Sequence, residues 1–126
     1  MKITAQQILE SAPLRFRPEK AQTLNTIFHF DISGDENFQY TLTIKAGTCS
    51  LTKTFEGTAN CLVKTSAKVY VDLETGKANP QMALMMGRVK VSNIAEMMQF
   101  AKCFRKFDEK YLQTTEVREQ KSEINT

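Results

Sequence analysis

The chain has 126 residues, 41% hydrophobic, 25% charged and 9% aromatic, with five glycines, three prolines and no tryptophan. That fits one globular domain, leaves little room for a second, and excludes a disordered or collagen-like chain. The formal net charge is +3, and because the segment from Asp108 onward is acidic, residues 1–107 carry +5, from 14 bases against 9 acids. This mild excess falls well short of a nucleic-acid-binding stripe. It permits a transient contact with an anionic membrane surface.

The N-terminus opens with a helix. Thr4 is placed to cap it, Gln7 completes a capping box, and Ile3 and Ile8 stand at staple spacing. Ile8, Leu9 and Ala12 form its apolar face, and Pro13 ends it. Around Arg15-Phe16-Arg17-Pro18-Glu19-Lys20-Ala21, the proline suits the first position of a short second helix. No secretory signal is legible here, since Gln6, Gln7 and Glu10 interrupt the apolar residues.

Strand patterns follow. Thr26, Phe28, Phe30 and Ile32 alternate with Ile27, His29, Asp31 and Ser33. After a turn at Gly34–Asn37, Phe38, Tyr40, Leu42 and Ile44 alternate with Gln39, Thr41, Thr43 and Lys45. Ala46-Gly47 turns the chain again, and Cys49 and Leu51 mark a third strand. These predict an antiparallel meander with one apolar and one polar face. A fourth strand is expected over 59–64, with Cys61 and Val63 facing inward.

The period then becomes helical. A helix is predicted over 66–75, with Val69, Tyr70 and Leu73 on one side and Gly76 as its stop. Asn79-Pro80 starts a short apolar helix that runs to Met86 and is closed by Gly87. Residues 88–92 alternate as a fifth strand. A last helix begins near Asn93, with Ile94, Met97, Met98, Ala101 and Phe104 at helical spacing and Phe100, Cys103 and Phe107 widening the sector. From Asp108 the chain is polar and is expected to be a flexible tail. The domain is therefore read as 1–107 and the tail as 108–126.

Catalytic groups are sparse. The single histidine, His29, falls on the polar face of its strand and reads as a solvated side chain. No nucleophile elbow, phosphate-binding loop, dinucleotide fingerprint or metal-ligand spacing is present. Cys49, Cys61 and Cys103 are odd in number, lack C-x-x-C spacing and lie among apolar residues. They read as inert, reduced thiols of a cytoplasmic protein. What stands out is methionine: five of the six fall within the seventeen positions from Met82 to Met98. Such flexible thioethers either fill a core or line a site for an irregular apolar ligand, and the pattern alone does not decide.

Several segments resemble a known family. Arg15-Phe16-Arg17-Pro18-Glu19-Lys20-Ala21, the strand Thr26–Ile32, Leu42-Thr43-Ile44-Lys45-Ala46-Gly47 and Ala59-Asn60-Cys61-Leu62-Val63 are similar, in order, to motifs of the sterol carrier protein type-2 domains. The most specific block is Gly76-Lys77-Ala78-Asn79-Pro80, followed by an apolar run and Gly87-Arg88-Val89-Lys90-Val91. There are two departures. Ser92-Asn93-Ile94 replaces a customary glycine, where Asn93 is expected to supply the left-handed turn. Val69 stands before Tyr70 where an acid is usual.

The resemblance implies an α+β domain: a five-stranded, largely antiparallel sheet with about five helices packed on one face and an apolar tunnel between sheet and helices. It implies a non-catalytic protein that binds and transfers a fatty acid, fatty acyl-CoA, sterol or similar lipid, with no cofactor and no metal. The alternative is an interaction scaffold, for example one that presents an isoprenoid quinone intermediate to biosynthetic enzymes. On this reading the lining draws on Phe30, Ile44, Met82, Met85, Met86, Met97, Met98, Ala101 and Phe104. Arg88, Lys102 and Arg105 are the candidate head-group contacts. A lipid carrier should hold an apolar void of roughly 300 Å³ or more.

Overall fold

The computed structural model describes residues 2–112. Helix α1 (Ala5–Glu10) begins at the expected capping box: the Gln7 amide donates to Thr4 Oγ1 at 3.1 Å, and the Thr4 amide donates to Gln7 Oε1 at 3.0 Å. The amides of Ala5 and Gln6 donate to the Glu36 carboxylate at 2.7 and 3.0 Å, so a residue from a distant turn satisfies the remaining donors of the helix start. Pro13 does not end the helical course as expected. It lies in the first turn of α2 (Ala12–Arg15), where its missing N–H costs nothing. A single 3-10 turn follows at Pro18–Lys20.

The strands are β1 (Thr26–Ser33), β2 (Phe38–Lys45), β3 (Thr48–Thr52), β4 (Cys61–Ser66) and β5 (Val89–Val91). Their spatial order is β3-β2-β1-β4-β5. Three of the four pairings are antiparallel; β4 runs parallel to β1, with Phe28 opposite Cys61 and Phe30 opposite Val63. The β2–β3 hairpin turns through Ala46 and Gly47, both at positive φ, which matches the twist of the flanking strands. β4 starts two residues later than the expected 59, because Asn60 is occupied in bridging: its Oδ1 accepts from the Ile27 amide at 2.8 Å and its amide donates to the Ile27 carbonyl at 2.8 Å.

Helices α3 (Ala67–Glu74), α4 (Pro80–Met85) and α5 (Ile94–Ala101) start at side-chain caps from Ser66, Asn79 and Asn93. Gly76 and Gly87 take left-handed conformations after α3 and α4. At each, a six-to-one bond closes the stop: Lys77 N to Asp72 O at 2.8 Å, and Arg88 N to Ala83 O at 2.9 Å. Asn93 is not left-handed, as the departure from the family pattern had suggested. It is extended at φ −146°, and its Oδ1 accepts from the Glu96 amide at 3.1 Å. The position asks for a cap, which a glycine cannot supply with a side chain.

The core lies on the inner sheet face. Phe28, Phe30 and Ile32 of β1, Tyr40, Leu42 and Ile44 of β2, and Cys61 and Val63 of β4 pack with Ile8, Leu9, Tyr70, Phe100 and Cys103. On the outer face the loop after β3 folds back. Thr41 Oγ1 donates to the Thr54 carbonyl at 2.7 Å, and the Glu56 amide donates to Thr41 Oγ1 at 2.9 Å. His29 is on that face, as expected, but not freely solvated: its ring stacks on Phe55 at 4.2 Å and Nε2 stands 2.9 Å from the Glu56 carbonyl. Of the tail expected over 108–126, Leu112 is buried with the core, and residues 113–126 lie outside the described residues.

Candidate functional site

A cavity of about 190 Å³ opens between the inner sheet face and the helices. Phe30 and Leu42 supply its sheet side, and Leu9 and Ala12 come from α1 and α2. α5 contributes Met97, Phe100 and Ala101, continued by Phe104. Aromatic rings fix this wall. Phe100 stacks on Phe28 at 3.9 Å with an interplanar angle of 18°, and meets Phe104 at 4.7 Å. A wider surface groove of about 950 Å³ has a mixed wall, with Ile3, Ala67, Val71 and Phe107 beside the charged Lys2, Asp35, Lys68, Asp72 and Glu109.

A two-rung ladder joins two segments that border the cavity. Phe16 and Phe104 form an antiparallel bridge, the Arg17 amide donates to the Cys103 carbonyl at 2.6 Å, and the Arg105 amide donates to the Arg15 carbonyl at 2.7 Å. The family-like Arg15-Phe16-Arg17 segment therefore holds residues 103–105, which follow α5.

Of the expected lining residues, the cavity brings together Phe30, Met97, Ala101 and Phe104. Ile44 is fully buried in the core beside it. Met82, Met85, Met86 and Met98 are at the surface, with Met85 82% exposed. The rotation of α5 explains Met98: Phe100 seats against Phe28, which turns Met98 outward. α4 buries Ala83 and leaves its methionines outside. Among the expected head-group contacts, Arg105 borders the cavity, and Arg88 and Lys102 are exposed away from its wall.

The sequence reading missed four polar members of the wall: Arg15, Tyr70, Glu74 and Lys106. Arg15 is only 5% exposed. Its Nε donates to Ser11 Oγ at 3.0 Å, Nη1 to the Arg105 carbonyl at 3.2 Å and Nη2 to the Ile8 carbonyl at 3.2 Å. Burial pushes the Glu74 carboxyl above its usual range, against the opposing pull of Arg15. The Tyr70 phenol rises well above its own for the same reason. A buried arginine next to the Phe16 motif was the available signal, but nothing local marks it as buried. The thiols do behave as expected, with burial pushing Cys49 up to about 12 and raising Cys103. All three cysteines are free.

Methionine exposure gives a direct check. Dilute hydrogen peroxide is expected to oxidise Met82, Met85, Met86 and Met98 well before half-buried Met97. Peptide mass spectrometry over a time course reads the order, and early oxidation of Met97 would contradict this placement of α5.

The architecture defines a class: an α+β domain with a small, mostly apolar cavity between one sheet face and its covering helices. Residues 5–105 match the SCP-2 sterol transfer family, and the chain belongs to that family. No curated protein matches the sequence. The solved structure of palmitated SCP2L2 from Aedes aegypti is similar with a TM-score of 0.63 at 12% identity, covering 84% of this chain and 100% of that one. The sec-alkylsulfatase PisA1 of Pseudomonas sp. gives 0.74 at 17% identity over 84% of this chain, which spans only 17% of that enzyme's length. The ubiquinone synthesis protein UbiJ-SCP2 gives 0.53 at 17% identity, with 67% of this chain and 72% of that one covered. At these identities the likenesses establish the fold.

Proposed function

We propose that the chain is a non-catalytic lipid-binding protein. It encloses the apolar chain of a fatty acid, fatty acyl-CoA, sterol or related lipid against Phe30, Met97, Ala101 and Phe104. The observation that carries this reading is the cavity itself, apolar on its sheet and α5 sides in a member of a sterol transfer family. Each enclosed methylene contributes about 0.8 kcal/mol before ordering costs. Three free thiols, two of them buried, suit a reducing compartment such as the cytoplasm.

At about 190 Å³ the cavity is smaller than the roughly 300 Å³ that a ligand site of this kind needs. Uptake therefore requires a wall to yield, and a shift of α5, which carries Met97, Phe100 and Ala101 of the lining, would enlarge the cavity. The same small volume favours a second reading, an accessory scaffold that works through a protein partner.

Native mass spectrometry of protein purified from its own cells, paired with displacement of a fluorescent fatty acid, separates the two. Bound lipid masses and saturable displacement are expected. No lipid and no displacement, from a folded sample, would remove the carrier reading and leave the scaffold.

A further inference from the structure

We propose that α4 is a membrane-docking element: Met82, Met85 and Met86 enter the interface of an anionic bilayer while Lys77, Arg88 and Lys90 meet its acidic head groups. This face lies outside the cavity wall, and its role does not depend on what the cavity holds.

A surface helix ordinarily turns its apolar residues to the core and its polar ones to water. α1 and α3 do so, burying Ala5, Ile8 and Leu9 in one case and Ala67 and Tyr70 in the other. α4 does the reverse. Its inward contacts are made by small, buried Ala83 and half-buried Leu84. Met82, Met85 and Met86 stand at i, i+3 and i+4 and so share one side of the helix, where each is more than half exposed. Both ends of the helix are closed. Asn79 Oδ1 accepts from the Gln81 and Met82 amides at 2.9 and 3.1 Å, and the Arg88 amide donates to the Ala83 carbonyl at 2.9 Å. Three neighbouring thioethers held in water gain by entering an apolar layer, and their flexibility suits the irregular packing of acyl chains.

Charge selects the occupant. From Thr75 to Ala95 the chain has three bases, Lys77, Arg88 and Lys90, and no aspartate or glutamate. All three are exposed, and none forms an ion pair among the described residues. Lys90 also stands opposite exposed Lys64 across the β4–β5 ladder, a like-charged pair that costs stability in water. An anionic surface removes that cost. The nearest acids in sequence, Glu74 and Glu96, are half-buried and belong to α3 and α5. An apolar helix face ringed by unpaired cations matches a bilayer rich in acidic phospholipid, with about fivefold in affinity for each base that reaches the surface.

The chain has no tryptophan, so Met85→Trp places a single indole on this face. With phosphatidylcholine vesicles containing about 30% phosphatidylserine, its emission is expected to move to shorter wavelength and to be quenched by lipids brominated on the acyl chain. Vesicles of phosphatidylcholine alone should bind at least about tenfold more weakly. Raising salt from about 0.1 to 1 M should remove most of that difference, as the Debye length falls from about 10 to 3 Å. Co-sedimentation with the anionic vesicles extends the test to other variants of the full chain. Met85→Ser with Met86→Ser should lower binding at least about tenfold. Arg88→Gln and Lys90→Gln should each lower it about fivefold, while Lys45→Gln, at the end of β2 and three strands from β5, changes it less than about twofold. All these positions are exposed, and circular dichroism checks that each variant is folded. No vesicle binding by wild type overturns the proposal, as does equal binding to neutral and anionic vesicles. Binding that survives intact in the methionine and base variants also overturns it. So does a dimer that Met85→Ser dissolves without any vesicle binding, which gives the face to a second copy of the chain. Loss of the carrier reading, by contrast, leaves every one of these vesicle results unchanged.

Discussion

Replacing Ala101 by tryptophan is expected to abolish lipid uptake while the protein stays folded. Ala101 is the last residue of α5; it borders the cavity yet is exposed on its other side. An indole there has two places to go. Turned inward, it fills much of an opening of about 190 Å³ next to Phe30 and Phe104. Whatever does not fit is accommodated by solvent, so the stability cost stays within about 1 kcal/mol. Displacement of a fluorescent fatty acid should weaken by more than about thirtyfold, since roughly three buried methylenes are lost at 0.8 kcal/mol each. Met85→Trp is the control, because Met85 is 82% exposed and outside the cavity. Undiminished uptake by a folded Ala101→Trp protein would place the lipid elsewhere.

A second substitution tests the sheet under that cavity. Phe28→Ala is expected to lower the free energy of unfolding by about 4 kcal/mol, in the range seen when a buried phenylalanine is truncated. Phe28 is fully buried on the central strand and stacks against Phe100 at 3.9 Å and Phe30 at 6.2 Å. Removing its ring opens a hole and unseats the helix that roofs the cavity. Against a typical stability of 5–15 kcal/mol, the loss is large enough to read as a displaced urea midpoint. A change below about 1 kcal/mol would mean that α5 does not bear on β1 as described.

The contrast between these two sites also shows what could be read from the residues alone. Helix starts and stops were legible because their chemistry is local. Thr4 with Gln7, Asn79 with Pro80, and glycines 76 and 87 each act within a few positions. Strand alternation placed Phe28, Phe30, Leu42 and Ile44 on the inner face for the same reason. The parallel pairing of β4 with β1 was not legible, since it depends on a long crossover rather than a turn.

The cavity was legible only in part. Phe30, Met97, Ala101 and Phe104 carry the right chemistry at the right spacing. The set of partners is non-local: Arg15 is buried through a carbonyl 90 positions away. The surface methionines misled in a physical sense as well, because a thioether is as compatible with an exposed helix face as with a pocket. Nothing in the sequence of α5 states which way it is turned; stacking on Phe28 decides that.

The small ladder between residues 15–17 and 103–105 has a consequence for how the protein is made. Chains leave the ribosome at about 5–20 residues per second, so the two sides of this ladder emerge roughly 5 to 18 seconds apart. Throughout that interval the β1–β3 meander can pair, but its aromatic face has no helix α5 to cover it. The cavity between sheet and helices is completed only when α5 has emerged. The newborn sheet must stay unaggregated with Phe28 and Phe30 uncovered until the end of the fold arrives.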